Sequence, residues 1–174
     1  PFNTAYHDQL FQSLYTPGAV KAEGFPNSVI QITKIALLCS QQPGRSVSNF
    51  RIAYYITTSS TLSSAFVPSN SMTVIFGPST LSTSSVVAGV WETFTLSQSI
   101  AWDLAGTGNL VLEFSSDGSS YTSGGGIYMF GTTSGLSRIQ RSDSSTGAYP
   151  FSRSSGTSVG GVAAVSMTFT FSCG

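Results

Sequence analysis

The residue types that could do chemistry are few and widely spaced. Gly156-Thr157-Ser158-Val159-Gly160 matches the Gly-x-Ser-x-Gly pattern of a nucleophile elbow. There a sharp strand-to-helix turn presents a serine to a downstream acid and histidine. No Asp, Glu or His follows Ser158, and the residues after it alternate like a strand. The single histidine, His7, stands beside Asp8 near the start of the chain, far from Ser158 in sequence. A paired-carboxylate glycosidase needs two acids at a fixed separation. The acids here are Asp8, Glu23, Glu92, Asp103, Glu113, Asp117 and Asp143, and no spacing singles out a pair. Calcium takes about six to eight oxygen ligands. Asp103, Asn109 and Asp117, near plausible strand ends, are weak candidates that turn-type side-chain bonds explain as well. The chain reads as a non-enzyme with no cofactor and no firm metal site.

Cys39 and Cys173 form no Cys-x-x-Cys motif or Cys/His cluster, which disfavours metal. Cys39 is in phase with Ile35 and Leu37, and Cys173 with Phe169 and Phe171, so extended chain turns both thiols inward. The expectation is a disulfide tying an early strand to the last one, against the alternative of two separate buried thiols. In the chain-entropy model so long a loop is worth about 5 kcal/mol. Such a bond requires an oxidising compartment. Among the aromatic residues, Tyr55, Tyr128 and Tyr149 are candidate glycan contacts, while Trp91 and Trp102 read as core.

The elements that must carry these residues are strands. Val29–Cys39 changes apolar phase midway: Ile30 and Ile32 share one parity, Ile35, Leu37 and Cys39 the other, which a bulge near Thr33–Lys34 would reconcile. Phe50–Thr57, Met72–Phe76, Val86–Leu96, Asn109–Phe114 and Gly126–Phe130 read as further strands, with a short apolar segment at Ile100 and Trp102. Val162–Cys173 alternates throughout, with Ser166, Thr168, Thr170 and Ser172 on its polar side. No helix of about ten residues is evident. The fold class expected is all-β, an antiparallel jelly-roll-like β-sandwich of about 8–10 strands. Residues 27–174 form the sandwich, and 1–26 an opening arm or first strand. Within that arm Leu10, Phe11, Leu14 and Tyr15 fit either a short helix or a strand. They are candidate assembly contacts if the arm connects one copy to the next.

The segments "QLFQSLY", "VIQITKIAL", "NFRIAYYI" and "WETFTLSQSIAWDLAGTGNLVLEF" resemble jelly-roll β-sandwich domains of bacterial secreted and cell-surface proteins. The matching residues are Trp91, Phe94, Leu96, Ile100, Trp102, Asp103, Gly106, Asn109, Leu110 and Leu112. The resemblance implies a fold and an extracellular or cell-surface setting, and carries no catalytic residue.

Composition narrows the partners. The 174 residues hold 7 Lys+Arg and 7 Asp+Glu, 8% charged, against 33 Ser and 19 Thr. Seven scattered basic residues cannot make a phosphate-binding stripe, so nucleic acid is disfavoured. No apolar run approaches the ~20 residues of a membrane-spanning helix. The opening at Pro1, without a charged-then-apolar leader, fits a processed secreted chain. Hydroxyl-faced strands with few Lys or Glu lack the usual guard against edge-to-edge association. The expectation is therefore a structural subunit that polymerises with itself into a filament, tube or surface layer. The alternative is a carbohydrate-binding or adhesive module with polysaccharide as its partner.

Overall fold

The computed structural model describes residues 2–62, 64–118, 122, 124–131, 133–142 and 156–171. In chain order the elements are β1 (Asp8–Tyr15), α1 (Pro17–Ala22), β2 (Val29–Pro43), β3 (Val47–Thr57), β4 (Thr73–Leu81), β5 (Trp91–Asp103) and β6 (Asn109–Asp117). There follow β7 (Gly124–Ile127), β8 (Met129–Phe130), β9 (Ser137–Ser142), β10 (Thr157–Val159), β11 (Val162–Ala163) and β12 (Val165–Phe171). A large sheet runs β10-β9-β1-β6-β3-β4 and a smaller one β12-β2-β5, with β7 extending along β2 and β11 pairing β8. Every pairing is antiparallel. The all-β sandwich expected from alternation is the fold observed. The strands among the described residues exceed the expected number because β7, β8, β10 and β11 are short pieces between turns.

Alternation builds the main core. Ile30, Ile32, Ile35, Leu37 and Cys39 from β2, Phe94, Ile100 and Trp102 from β5, and Leu110, Leu112 and Phe114 from β6 meet between the sheets. β2 changes register between Ile32 and Lys34, at the bulge its phase shift predicted. Residues Leu96–Ser99 of β5 have no register partner on β2; Ser99 Oγ donates to Gln31 Oε1 at 3.0 Å, while Ser97 Oγ donates to the Ile75 carbonyl of β4 at 3.0 Å. β5 is one continuous strand, where the sequence suggested two pieces. Val86 is buried and Val90 exposed, but both precede it.

The opening segment takes the first-strand alternative. β1 lies between β6 and β9 inside the chain's own large sheet, all eight of its residues buried. Leu10, Phe11, Leu14 and Tyr15 are therefore core positions in the chain's own fold. Two-sided burial explains it. Phe11 and Tyr15 enter the main core, while Leu10 and Leu14 pack outward under Leu62, Phe66, Val67 and Met72 of the long β3–β4 connection. Only afterwards does the chain turn helical, at Pro17, with Thr16 Oγ1 accepting from the Ala19 amide at 3.1 Å as the N-cap.

Gln12 and Ser13 of β1 find their partners inside. Gln12 accepts from the Val67 amide at 2.8 Å, donates back to the Val67 carbonyl at 3.1 Å, and donates to Glu113 at 2.7 Å. On the other face Ser13 and Ser137 share a 2.7 Å hydroxyl contact, and Ser13 accepts from the Ala163 amide at 3.0 Å. The Tyr15 hydroxyl donates to the Ala163 carbonyl at 3.0 Å. Ahead of β1 the chain is pinned where Gly125, at φ +92°, abuts the Phe2 carbonyl so closely that a Cβ would collide with it. Gly125→Ala is expected to destabilise the fold by about 3 kcal/mol, through both the clash and the left-handed backbone. Urea unfolding followed by tryptophan fluorescence measures this, and an unchanged midpoint would contradict it.

Candidate assembly surface

Surface strands with alternating hydroxyl and apolar residues turn one side to water and the other to the core. On β12 Ser166, Thr168 and Thr170 are exposed, as the alternation predicted, while Val165, Met167 and Phe169 point inward but stay only half-buried. The inner side of β12 is only partly covered. What does cover it is the segment after α1: Phe25 lies against Phe169 with ring centroids 4.7 Å apart. Beside that contact a groove of about 780 Å³ opens, lined by Val20, Phe25, Phe130, Val162, Val165 and Met167, with Glu23 as its charged residue.

Next to the groove Trp91, Leu38 and Tyr128 lie side by side. Trp91 pairs with Leu38 in register across β5 and β2, and the Tyr128 amide donates to the Leu38 carbonyl at 2.9 Å from the other side. Trp91 is 42% exposed, Tyr128 47% and Phe130 58%. These large aromatic side chains stand open to solvent beside an apolar groove. Trp102 is core as expected, with its indole N–H donating to the Gly108 carbonyl at 2.8 Å. Trp91 is not, and its parity says why: it alternates with Phe94, Ile100 and Trp102 and shares its side with exposed Thr93 and Thr95.

The glycan candidates do not form one platform. Tyr55 is exposed on β3 of the large sheet and Tyr128 on the small-sheet side, while Tyr149 lies outside the described residues. Nor do the calcium candidates converge. Asn109 and Asp117 sit at opposite ends of β6, some 27 Å apart at strand rise. Asp103 accepts from the Ala105 amide at 2.9 Å as a turn-type bond, whereas Asn109 donates at 2.9 Å to the Ser59 carbonyl, far off in the chain. Among the described residues no group of three or more His, Cys, Asp or Glu could hold a metal ion. Ser158 lies within β10, opposite Arg138 of β9, with no helix after it, so the elbow pattern is a strand.

Cys39 is buried, and burial first, then Glu92, pushes its thiol up to about 11, leaving it protonated and unreactive at neutral pH. The same burial raises the Glu92 carboxyl. Cys173 lies outside the described residues. Phe171 pairs with Ile30, nine residues along β2 from Cys39, about 30 Å at strand rise. The expected bridge through Cys173 therefore falls outside the described residues.

One titratable cluster escaped the spacing argument. Asp8 and Asp117 stand directly opposite each other where β1 meets β6, and Asp8 is only 5% exposed. Burial, then the Asp117 charge, raises Asp8 from 3.8 to about 6, with His7 pulling the other way. No spacing rule pairs residues 8 and 117; only the antiparallel register does.

No family model, no curated protein and no solved structure matches this chain.

Because folded Asp8 holds its proton up to about pH 6 while the unfolded chain releases it near 3.8, stability should fall as pH rises through that interval and level off above it. Asp8→Asn should flatten that slope and raise stability at pH 7. Urea midpoints from pH 4 to 7 test this, and an equally steep slope in the variant would refute it.

Proposed function

We propose that this chain is a non-enzymatic structural subunit that assembles with copies of itself outside the cell, into a filament, tube or surface layer. The observation that carries the reading is the groove with its open aromatic rim of Trp91 and Phe130, in a chain whose net charge is zero. Apolar surface left open favours contact, and the few charges on these strands offer little repulsion between copies. The resemblance to jelly-roll domains of bacterial secreted and cell-surface proteins, together with the hydroxyl-rich composition, supports the extracellular setting. Tyr15 and Leu14 are buried in the chain's own sheet, which favours contacts on the small-sheet side.

A second reading is favoured by one observation, the row of Trp91, Leu38 and Tyr128 on a single face. Flat aromatic rings in line suit stacking on the sugar rings of a polysaccharide. The two readings separate on purified protein. Self-assembly gives particles that grow with concentration in sedimentation velocity and ordered arrays in electron micrographs. A carbohydrate module gives monomers retarded in polysaccharide gels, with retardation lost in Trp91→Ala and Tyr128→Ala.

Under the first reading, Phe130→Ser and Trp91→Ala should each raise the concentration needed for assembly about tenfold, without lowering the melting temperature. A wild-type chain that stays monomeric at millimolar concentration would end it.

A further inference from the structure

We infer that the free edge of β12 is where two copies meet, strand to strand, pairing antiparallel across a two-fold axis. This rests on the self-assembly reading and names its contact. A strand edge is a specific chemical demand: alternate N–H and C=O groups point away from the sheet and are matched by another extended chain. β12 is the terminal strand of the β12-β2-β5 sheet, and among the described residues nothing pairs its outer side.

The other edges are guarded. β4 contains Gly77-Pro78 and shifts register three times against β3, and proline and irregular register both blunt an edge. β10 is three residues long. β5 carries Glu92 and Asp103 and turns toward β4 through Ser97. β12, by contrast, reads Val-Ser-Met-Thr-Phe-Thr-Phe, seven residues without a charge, a proline or a glycine. That is the composition of a segment that adds strands readily.

A second copy is the occupant that the charges favour. An isologous contact sets each residue against its own counterpart or a near neighbour, so a charged edge would repel itself, and this one carries none. In the register that uses all seven residues, Thr168 faces Thr168, Ser166 faces Thr170, Met167 faces Phe169 and Val165 faces Phe171. The exposed Phe171 of one copy then lies over the end of β12 that lines the groove of the other, covering Val165. The nearest charge on β2 is Lys34, one strand in, paired with Thr168.

The test uses the whole chain and charges on the exposed Thr168, which leave the core untouched. Thr168→Lys and Thr168→Glu should each weaken self-association about tenfold in sedimentation equilibrium, and mixed one to one they should recover it. Circular dichroism and the melting temperature establish that both variants fold. If wild type assembles and both variants assemble equally well, the β12 contact is wrong while the self-assembly reading stands. If both weaken but their mixture does not recover, the two threonines do not face each other and the pairing is likewise overturned. A wild-type chain that never associates defeats the underlying reading instead.

Discussion

The amide of Gln12 holds the outer face of the large sheet closed. Its three hydrogen bonds join β1 to the β3–β4 connection through Val67 and to β6 through Glu113. With so few charges in the chain, polar closure of this kind falls to amides and hydroxyls. A buried amide with its donors and acceptor engaged is stabilising, whereas one left unpaired costs about 1–3 kcal/mol. Once the connection is fixed, Leu62, Val67 and Met72 cover Leu14, Ala53 and Val111, and β1 and β6 become strands buried on both faces. Among the described residues the sandwich thus has a third, thin layer of loop outside the large sheet.

That asymmetry links the packing to the proposed role. Ser13, Ser137, Tyr15 and Ala163 tie β1, β9 and β11 together deep in the molecule, and just beyond them the two sheets part. The groove begins where the hydrogen-bonded closure ends. Phe25 fills part of the gap through its contact with Phe169, and the rest stays open beside β12. Among the described residues the groove and the free strand edge lie together on β12.

Much of the fold was legible because alternation reports burial wherever a strand has one wet side. The phase change in β2 foretold its bulge, and the hydroxyl face of β12 was plain. The same rule placed Trp91 outward, had its parity with Thr93 and Thr95 outweighed its size. Alternation fails where both sides are covered. In β1 the polar residues Gln9, Gln12 and Ser13 are buried, so neither parity looks like a core face and the segment resembles a loose arm. The Asp8–Asp117 pair was illegible for another reason: it exists only through register between strands more than a hundred residues apart. The groove is a gap between elements, and no local pattern encodes one.

The outward residues of β5 and β12 have a further consequence. Thr93, Thr95, Ser97, Ser99, Ser166, Thr168 and Thr170 are all exposed, and none can ionise in the physiological range. Dissolved ions weaken attraction between charged groups over roughly 10 Å at about 0.1 M, yet they find little to screen on these strands. Contacts between hydroxyl ladders and aromatic rings would hold much the same strength in fresh water and in brine. Salinity would then be the wrong lever for taking such a material apart. Cold, which weakens the burial of apolar surface, would be the better one.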